Sequence, residues 1–171
     1  MGLYFALRKR NWKQLLLERT NRILIPFAFG IVAITPLHMY VFQNFYNLPL
    51  TYYSHFGHLW FLGNIFVYVV ILLPVFIYLK KNETGRFQKG LSKFMSNLLG
   101  PLAIISLFIL EVELVNPQLF ALYAETNHGF FLGLIAFFYG FLFVYSGGSF
   151  WNTVLKWRYL YVAIAASLFT I

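Results

Sequence analysis

Residues 59–79 read LWFLGNIFVYVVILLPVFIYL, twenty-one positions without one charged side chain. Wound as an α-helix at 1.5 Å per residue, the stretch is about 31 Å long, close to the thickness of a bilayer's hydrocarbon core. His55 and His58 stand just ahead of it, three apart and so on one face of a helix. They are either a functional pair or the polar boundary where a membrane span begins.

Three further runs are apolar and long enough to cross: Ile23–Phe42, Leu98–Val115, which carries Glu111 and Glu113, and Gly129–Ser146. A fifth, Tyr159–Ile171, would reach about 20 Å at the same rise. A helix ending at that depth leaves carbonyls without partners in lipid, so the run reads as an incomplete span. The expected fold is all-α: a polytopic transmembrane helix bundle of about five spans, with a basic segment over 1–22 and a membrane domain over 23–171. Composition agrees. Hydrophobic residues make up 60% of the 171 positions and charged ones 11%, whereas soluble domains carry about a quarter charged. There is no cysteine, which excludes disulfides, thiolate catalysis and cysteine-ligated metals within the chain.

The net charge of +8 is explained by its distribution. Arg8, Lys9, Arg10, Lys13, Arg19 and Arg22 precede the first span, and Lys80, Lys81, Arg86, Lys89 and Lys93 follow the second. Lys156 and Arg158 follow the fourth, while 43–58 and 116–128 hold neither Lys nor Arg. Basic residues gather on cytoplasmic loops, so the N-terminus and the second and fourth loops are expected on the cytoplasmic side. The basicity is topological and does not point to a nucleic-acid partner. Trp12, Trp60, Trp151, Trp157, Tyr52, Tyr53 and Tyr78 fall near the expected interfaces, as aromatic belts do. Pro36 and Pro74 are expected to kink their helices.

The titratable groups separate by side. His38, His55, His58, Glu111, Glu113, Glu125 and His128 lie toward the outer leaflet, opposite the basic face. A basic inner mouth suits a phosphate-bearing donor, and His with Glu suits acid–base work on a hydroxyl acceptor. Bland readings stand beside these. His55 and His58 serve equally as interfacial hydrogen-bonding groups, and two histidines without a third ligand do not make a metal site. Glu111, inside a span, is either functional or turned to the interface, while Glu113, Glu125 and His128 read as solvated rim residues. Arg19 and Arg22 stand three apart, so that both can face one ligand, or they simply anchor the helix to anionic lipid.

Two phrases carry a resemblance. YFALRKRNWKQLLLERTNRILIPFAFG (4–30), with Arg19-x-x-Arg22 before Ile-Leu-Ile-Pro-Phe, and HLWFL (58–62) are similar to the acyltransferase-3 family of multi-span bacterial membrane proteins. Pro36 and Tyr40 ahead of GHLWFL resemble its glucan-succinylating branch. The resemblance implies transfer of an acetyl or succinyl group from acyl-CoA to an extracytoplasmic carbohydrate hydroxyl. It puts Arg19 and Arg22 where the CoA phosphates would dock, with His58 and Trp60 lining the embedded site and His55 as a weaker neighbour. Glu111 is a further candidate, and no metal is expected. The family's catalytic histidine would precede residue 1, so the chain is expected to be partial and His58 to shape the site without being the base. Two other readings stay open: a non-enzymatic remnant or membrane assembly partner, and a small proton-coupled transporter using Glu111 and the histidines.

Overall fold

A computed structural model describes residues 2–115, 123 and 125–169; the side chains of His58, Leu168 and Phe169 lie outside the described part. Every regular element among the described residues is helical. Helix α1 (Gly2–Lys9) precedes a long helix, α2 (Trp12–Phe45), and then α3 (Trp60–Lys81). Next come α4 (Arg86–Met95), α5 (Leu99–Val115), α6 (Asn127–Tyr145) and α7 (Gly148–Phe169).

The uncharged stretch forms α3, which continues through Pro74 as one element. It runs from Trp60 to Lys80 and Lys81, so the bundle has a histidine end and a basic end. The centre is aromatic. Phe76 is fully buried, with its ring centroid 3.9 Å from that of Phe141 on α6. Tyr68 hydroxyl donates to the Phe130 carbonyl at 2.8 Å, and Tyr145 hydroxyl donates to the Asn82 carbonyl at 3.0 Å. These bonds give tyrosine's polar tip a partner when its ring is buried. At the basic end, α1 buries Leu3, Tyr4 and Leu7 against α3 and α6. Lys80 donates to the Leu7 carbonyl, and Tyr4 hydroxyl donates to Glu83.

Helix α2 spans 34 residues and contains two π-turns, Thr20–Leu24 and Gly30–Ile34. Ile25 N–H reaches the Thr20 carbonyl and Thr35 N–H the Gly30 carbonyl, five residues back in each case. Pro26 and Pro36 follow immediately. A proline cannot donate to the carbonyl four residues before it, and its ring crowds that carbonyl; widening the preceding turn relieves the conflict. The carbonyl that Pro36 frees belongs to Val32, and Tyr52 hydroxyl donates to it at 2.9 Å. This bond folds the 46–56 connection back along α2.

By length and apolarity α2, α3 and α6 can each cross a membrane, and α4 with α5 makes a fourth if that pair is one broken span. The pair bends by 100°. Gly100 sits at the elbow, where a β-carbon would collide with the Phe94 carbonyl. Large apolar side chains such as Ile25, Phe29, Val32, Ile109 and Leu114 face outward, as the surface of a multi-pass membrane protein must.

Two expectations change. The basic connection after the second span contains α4. The loop expected around Lys156 and Arg158 is helical, because α7 runs through both with a break in helical geometry only at Trp157 (φ −107°, ψ 17°). The apolar stretch from Tyr159 is therefore the second half of α7. That helix packs along α4: Ser149 and Ser92 hydroxyls lie 2.5 Å apart, and Tyr161 hydroxyl donates to the Leu98 carbonyl at 2.9 Å.

Candidate functional site

Arg19 closes the regular first turns of α2, and the π-turn begins at the next residue. The widened turn separates the two arginines in direction. Arg22 lies on the surface, 72% exposed, and pairs with Glu18 at 3.2 Å; Arg10 engages the other oxygen of the same carboxylate. Arg19 points inward and lines a cavity of about 310 Å³ with Leu3, Ile65, Val69, Gly140 and Phe141. Its Nε is buried without a hydrogen-bond partner. Presentation of both arginines to one ligand is thus corrected to an inward Arg19 and an outward, paired Arg22. Val69 stands twelve residues before Lys81, about 18 Å along α3 at helical rise, so Arg19 reaches toward the middle of the bundle.

The Arg19 cavity has neighbours. Ile65, Ala136 and Phe137 also line a second cavity of about 310 Å³ that includes Trp60 and Asn64. Trp60 and Asn64 in turn line a third, of about 460 Å³, whose rim carries Glu125, Thr126 and Asn127. Three cavities sharing walls in series therefore lie along α2, α3 and α6, with Arg19 in the first and Trp60 in the other two. The backbone of His58 lies in the single 3₁₀ turn Gly57–Leu59 that opens α3; its side chain is outside the described part.

At the histidine end a fourth cavity of about 420 Å³ is lined by Thr35, His38, Tyr53 and His55. His55 Nδ1 accepts from Gly57 N–H at 2.8 Å. An accepting Nδ1 carries no proton, so the ring's proton is on Nε2, which faces Glu125 Oε1 at 3.5 Å. Gly57 adopts φ +50°, a left-handed conformation open to glycine at little cost. Tyr53 stacks on the His55 ring with centroids 5.8 Å apart. His55 lines this cavity and Glu125 the neighbouring one, so their contact stands between the two. Among the described residues, the His38 ring has no hydrogen-bond partner.

Glu111 does not turn to the interface. Its side chain is 3% exposed, and Oε1 meets Nδ1 of His128, itself 11% exposed, at 3.0 Å. Glu111 Oε2 is buried without a partner. The rim assignment of His128 is corrected: Tyr123 stacks on its ring, and the pair ties α5 to α6 beside the Thr126 cap, whose hydroxyl accepts from Gly129 N–H at 3.1 Å. Glu125 and Glu113 are both exposed, as rim groups are, and Glu125 in addition faces His55. Among the described residues no three His, Asp or Glu side chains come together as a metal site would need.

The pairing of Glu111 with His128 is not visible in the spacing, yet the sequence holds a signal for it. A carboxylate inside a span needs a partner at the same depth of the next, antiparallel span, and His128 opens that span. Comparison with known protein families, characterised proteins and solved structures finds no match.

Proposed function

We propose that the chain is an acyltransferase-3-like integral membrane protein that moves an acetyl or succinyl group from acyl-CoA to a carbohydrate hydroxyl. In this reading the N-terminus and the basic end face the cytoplasm of a bacterial inner membrane. A five-span course then counts α7 as the last span, and the carbohydrate approaches the histidine end. The observation that supports it best is Arg19, whose guanidinium enters an otherwise apolar cavity that shares walls in series with those at Trp60 and Asn64. An acyl-CoA carries its charge on phosphates at one end and its thioester on a slender arm at the other. A half-buried guanidinium suits the phosphates, and the mainly apolar cavities that share its walls suit the arm.

Transfer requires the acceptor oxygen to bond to the acyl carbon as the carbon–sulfur bond breaks, with the hydroxyl proton passing through a base to the leaving sulfur. In this reading the base is a histidine, and among the described rings His38 is the one without a hydrogen-bond partner. His55, with its proton held toward Glu125, orients groups around it, and His58 and Trp60 shape the site. Tyr53 offers a flat face to a sugar ring.

The test is acyl-CoA binding to the full chain in micelles by calorimetry, followed by labelled acyl transfer to glucan in proteoliposomes. Losing a hydrogen bond to a charged group costs about 1.5–3 kcal/mol, so Arg19→Gln is expected to weaken binding about tenfold or more. Arg22→Gln, removing an exposed and already paired charge, should change it less than about twofold. Equal effects of the two variants, or no binding by the parent chain, would sink the proposal. Binding without transfer would favour the remnant or assembly-partner reading. A second reading, proton-coupled transport, is favoured by the buried Glu111–His128 pair. It requires solute uptake driven by a pH gradient and lost in Glu111→Gln.

A further inference from the structure

Helix α4 holds a surface that the acyl-transfer reading does not use. It turns 100° from α5 across a three-residue break. With α5 read as crossing the membrane by itself, α4 lies near the plane of the bilayer, at the level where α5 enters. Its ten residues, RFQKGLSKFM, include three cations and no acid.

At 3.6 residues per turn, Arg86, Lys89 and Lys93 fall within about 60° of arc. Leu91 and Met95 fall on the opposite side and pack against the bundle. Phe87 and Phe94 fall within about 20° of each other on the flank between, and they are 53% and 45% exposed. Gly90 lies between the cations and the two rings, and a β-carbon built there would meet nothing within 4 Å. Among the described residues none of the three cations has an ion-pair partner. Glu83, the acid nearest in sequence, is engaged by Tyr4. Helix α7, packed along α4, adds Lys156 and Arg158 to the same end of the molecule.

We propose that the notch over Gly90 is a binding site for an anionic phospholipid of the surrounding leaflet. The phosphate sits between Arg86 and Lys93, Lys89 adds to the field, and the acyl chains descend past Phe87 and Phe94. Charge selects the ligand, because a zwitterionic headgroup returns to the cations the positive charge that its phosphate would neutralise. The exposed phenyl rings select a lipid over a soluble anion, since an in-plane helix with aromatic and basic flanks matches the headgroup–acyl boundary. The inference stands whether or not the chain transfers acyl groups.

The experiment uses the full chain in mixed micelles, titrated with phosphatidylglycerol or phosphatidylcholine, with retained lipid counted by native mass spectrometry. Phosphatidylglycerol is expected to bind about fivefold or more tightly than phosphatidylcholine, given basic residues at the membrane surface. Gly90→Leu, which fills the notch, and the triple variant Arg86→Gln/Lys89→Gln/Lys93→Gln should each erase the difference. The triple variant alters only exposed side chains, so it carries the test if Gly90→Leu fails to fold. Arg8→Gln/Lys9→Gln/Lys13→Gln, which removes equal charge elsewhere, should preserve the difference. The proposal is overturned if the two lipids bind alike, if the preference survives the α4 triple variant, or if the N-terminal triple removes it equally. Displacement of the lipid by soluble glycerol phosphate would mark a site for free anions and overturn it as well.

Discussion

Replacing His128 by alanine strands a carboxylate inside the bundle, and the cost can be worked from the contacts it loses. Glu111 has one bonded oxygen, the one facing His128 Nδ1 at 3.0 Å, and its other oxygen is already without a partner. Interhelical hydrogen bonds in membrane proteins average about 0.6 kcal/mol by double-mutant cycles. Charge assistance roughly doubles such a bond, and leaving a buried polar group unsatisfied adds about 1–3 kcal/mol. His128→Ala is therefore expected to cost about 2–4 kcal/mol. Glu111→Leu should cost less, about 1–2 kcal/mol, because the imidazole left behind is small and partly exposed. The double variant Glu111→Leu/His128→Ala removes both polar groups, so it should fall short of the sum by about 1–2 kcal/mol. Reversible unfolding of the full chain in mixed micelles by increasing detergent denaturant reads all four corners of the cycle. Additivity within about 0.5 kcal/mol would show that the two side chains do not interact, and the clamp between α5 and α6 would be refuted.

Four other outcomes rest on single residues. Burial, aided by the hydrogen bond to Glu83 and that carboxylate's charge, pushes the Tyr4 phenol up to about 12. A phenol protonated more firmly in the folded than in the unfolded chain, where it titrates near 10, stabilises the fold below pH about 10 and loses that contribution as pH rises through about 12. Ultraviolet phenolate titration of the parent minus Tyr4→Phe should show one late-ionising group; a difference centred near 10 would contradict the contact. Gly100→Ala should destabilise by about 1–3 kcal/mol, because its β-carbon meets the Phe94 carbonyl at the α4–α5 elbow, which cannot yield as a side-chain tip can. Gly140→Ala, with open space around it, should instead gain up to about 1 kcal/mol of helix propensity, as thermal unfolding would report. Tyr52→Phe should loosen the 46–56 connection, seen as faster amide exchange there, because it frees the Val32 carbonyl; unchanged exchange would show that the hydroxyl does not hold the connection.

Long spans are legible because lipid forbids charge, and an uncharged run of the right length has few alternatives; residues 59–79 need no context to be read as α3. Helix α4 is hidden by the same logic. Arg86, Lys89 and Lys93 read as loop charges, although their spacing, with Leu91 and Met95 opposite, is that of an amphipathic helix. Charge likewise suggests a loop at Lys156 and Arg158, but charged side chains do not interrupt a backbone, and α7 passes through them. Pairings across helices, such as Glu111 with His128 or His55 with Glu125, depend on the relative depth of elements separated by loops, which periodicity does not encode.

The arginines show why spacing alone misplaces a site. Three residues apart on an unbroken α-helix, Arg19 and Arg22 would share a face. A π-turn inserts one extra residue into the helix and so rotates the residues on its N-terminal side by about 100° relative to those on its C-terminal side. The turn at Thr20–Leu24 begins just after Arg19 and contains Arg22, and it accommodates Pro26, which follows Leu24 after one intervening residue. The second π-turn, ahead of Pro36, frees the carbonyl that Tyr52 takes up, and the connection so folded carries Tyr53 and His55 to the cavity that His38 lines. Two prolines, each easily read as a mere kink, thus bear on two separate cavities: the direction of the guanidinium at one and the position of the histidines at the other.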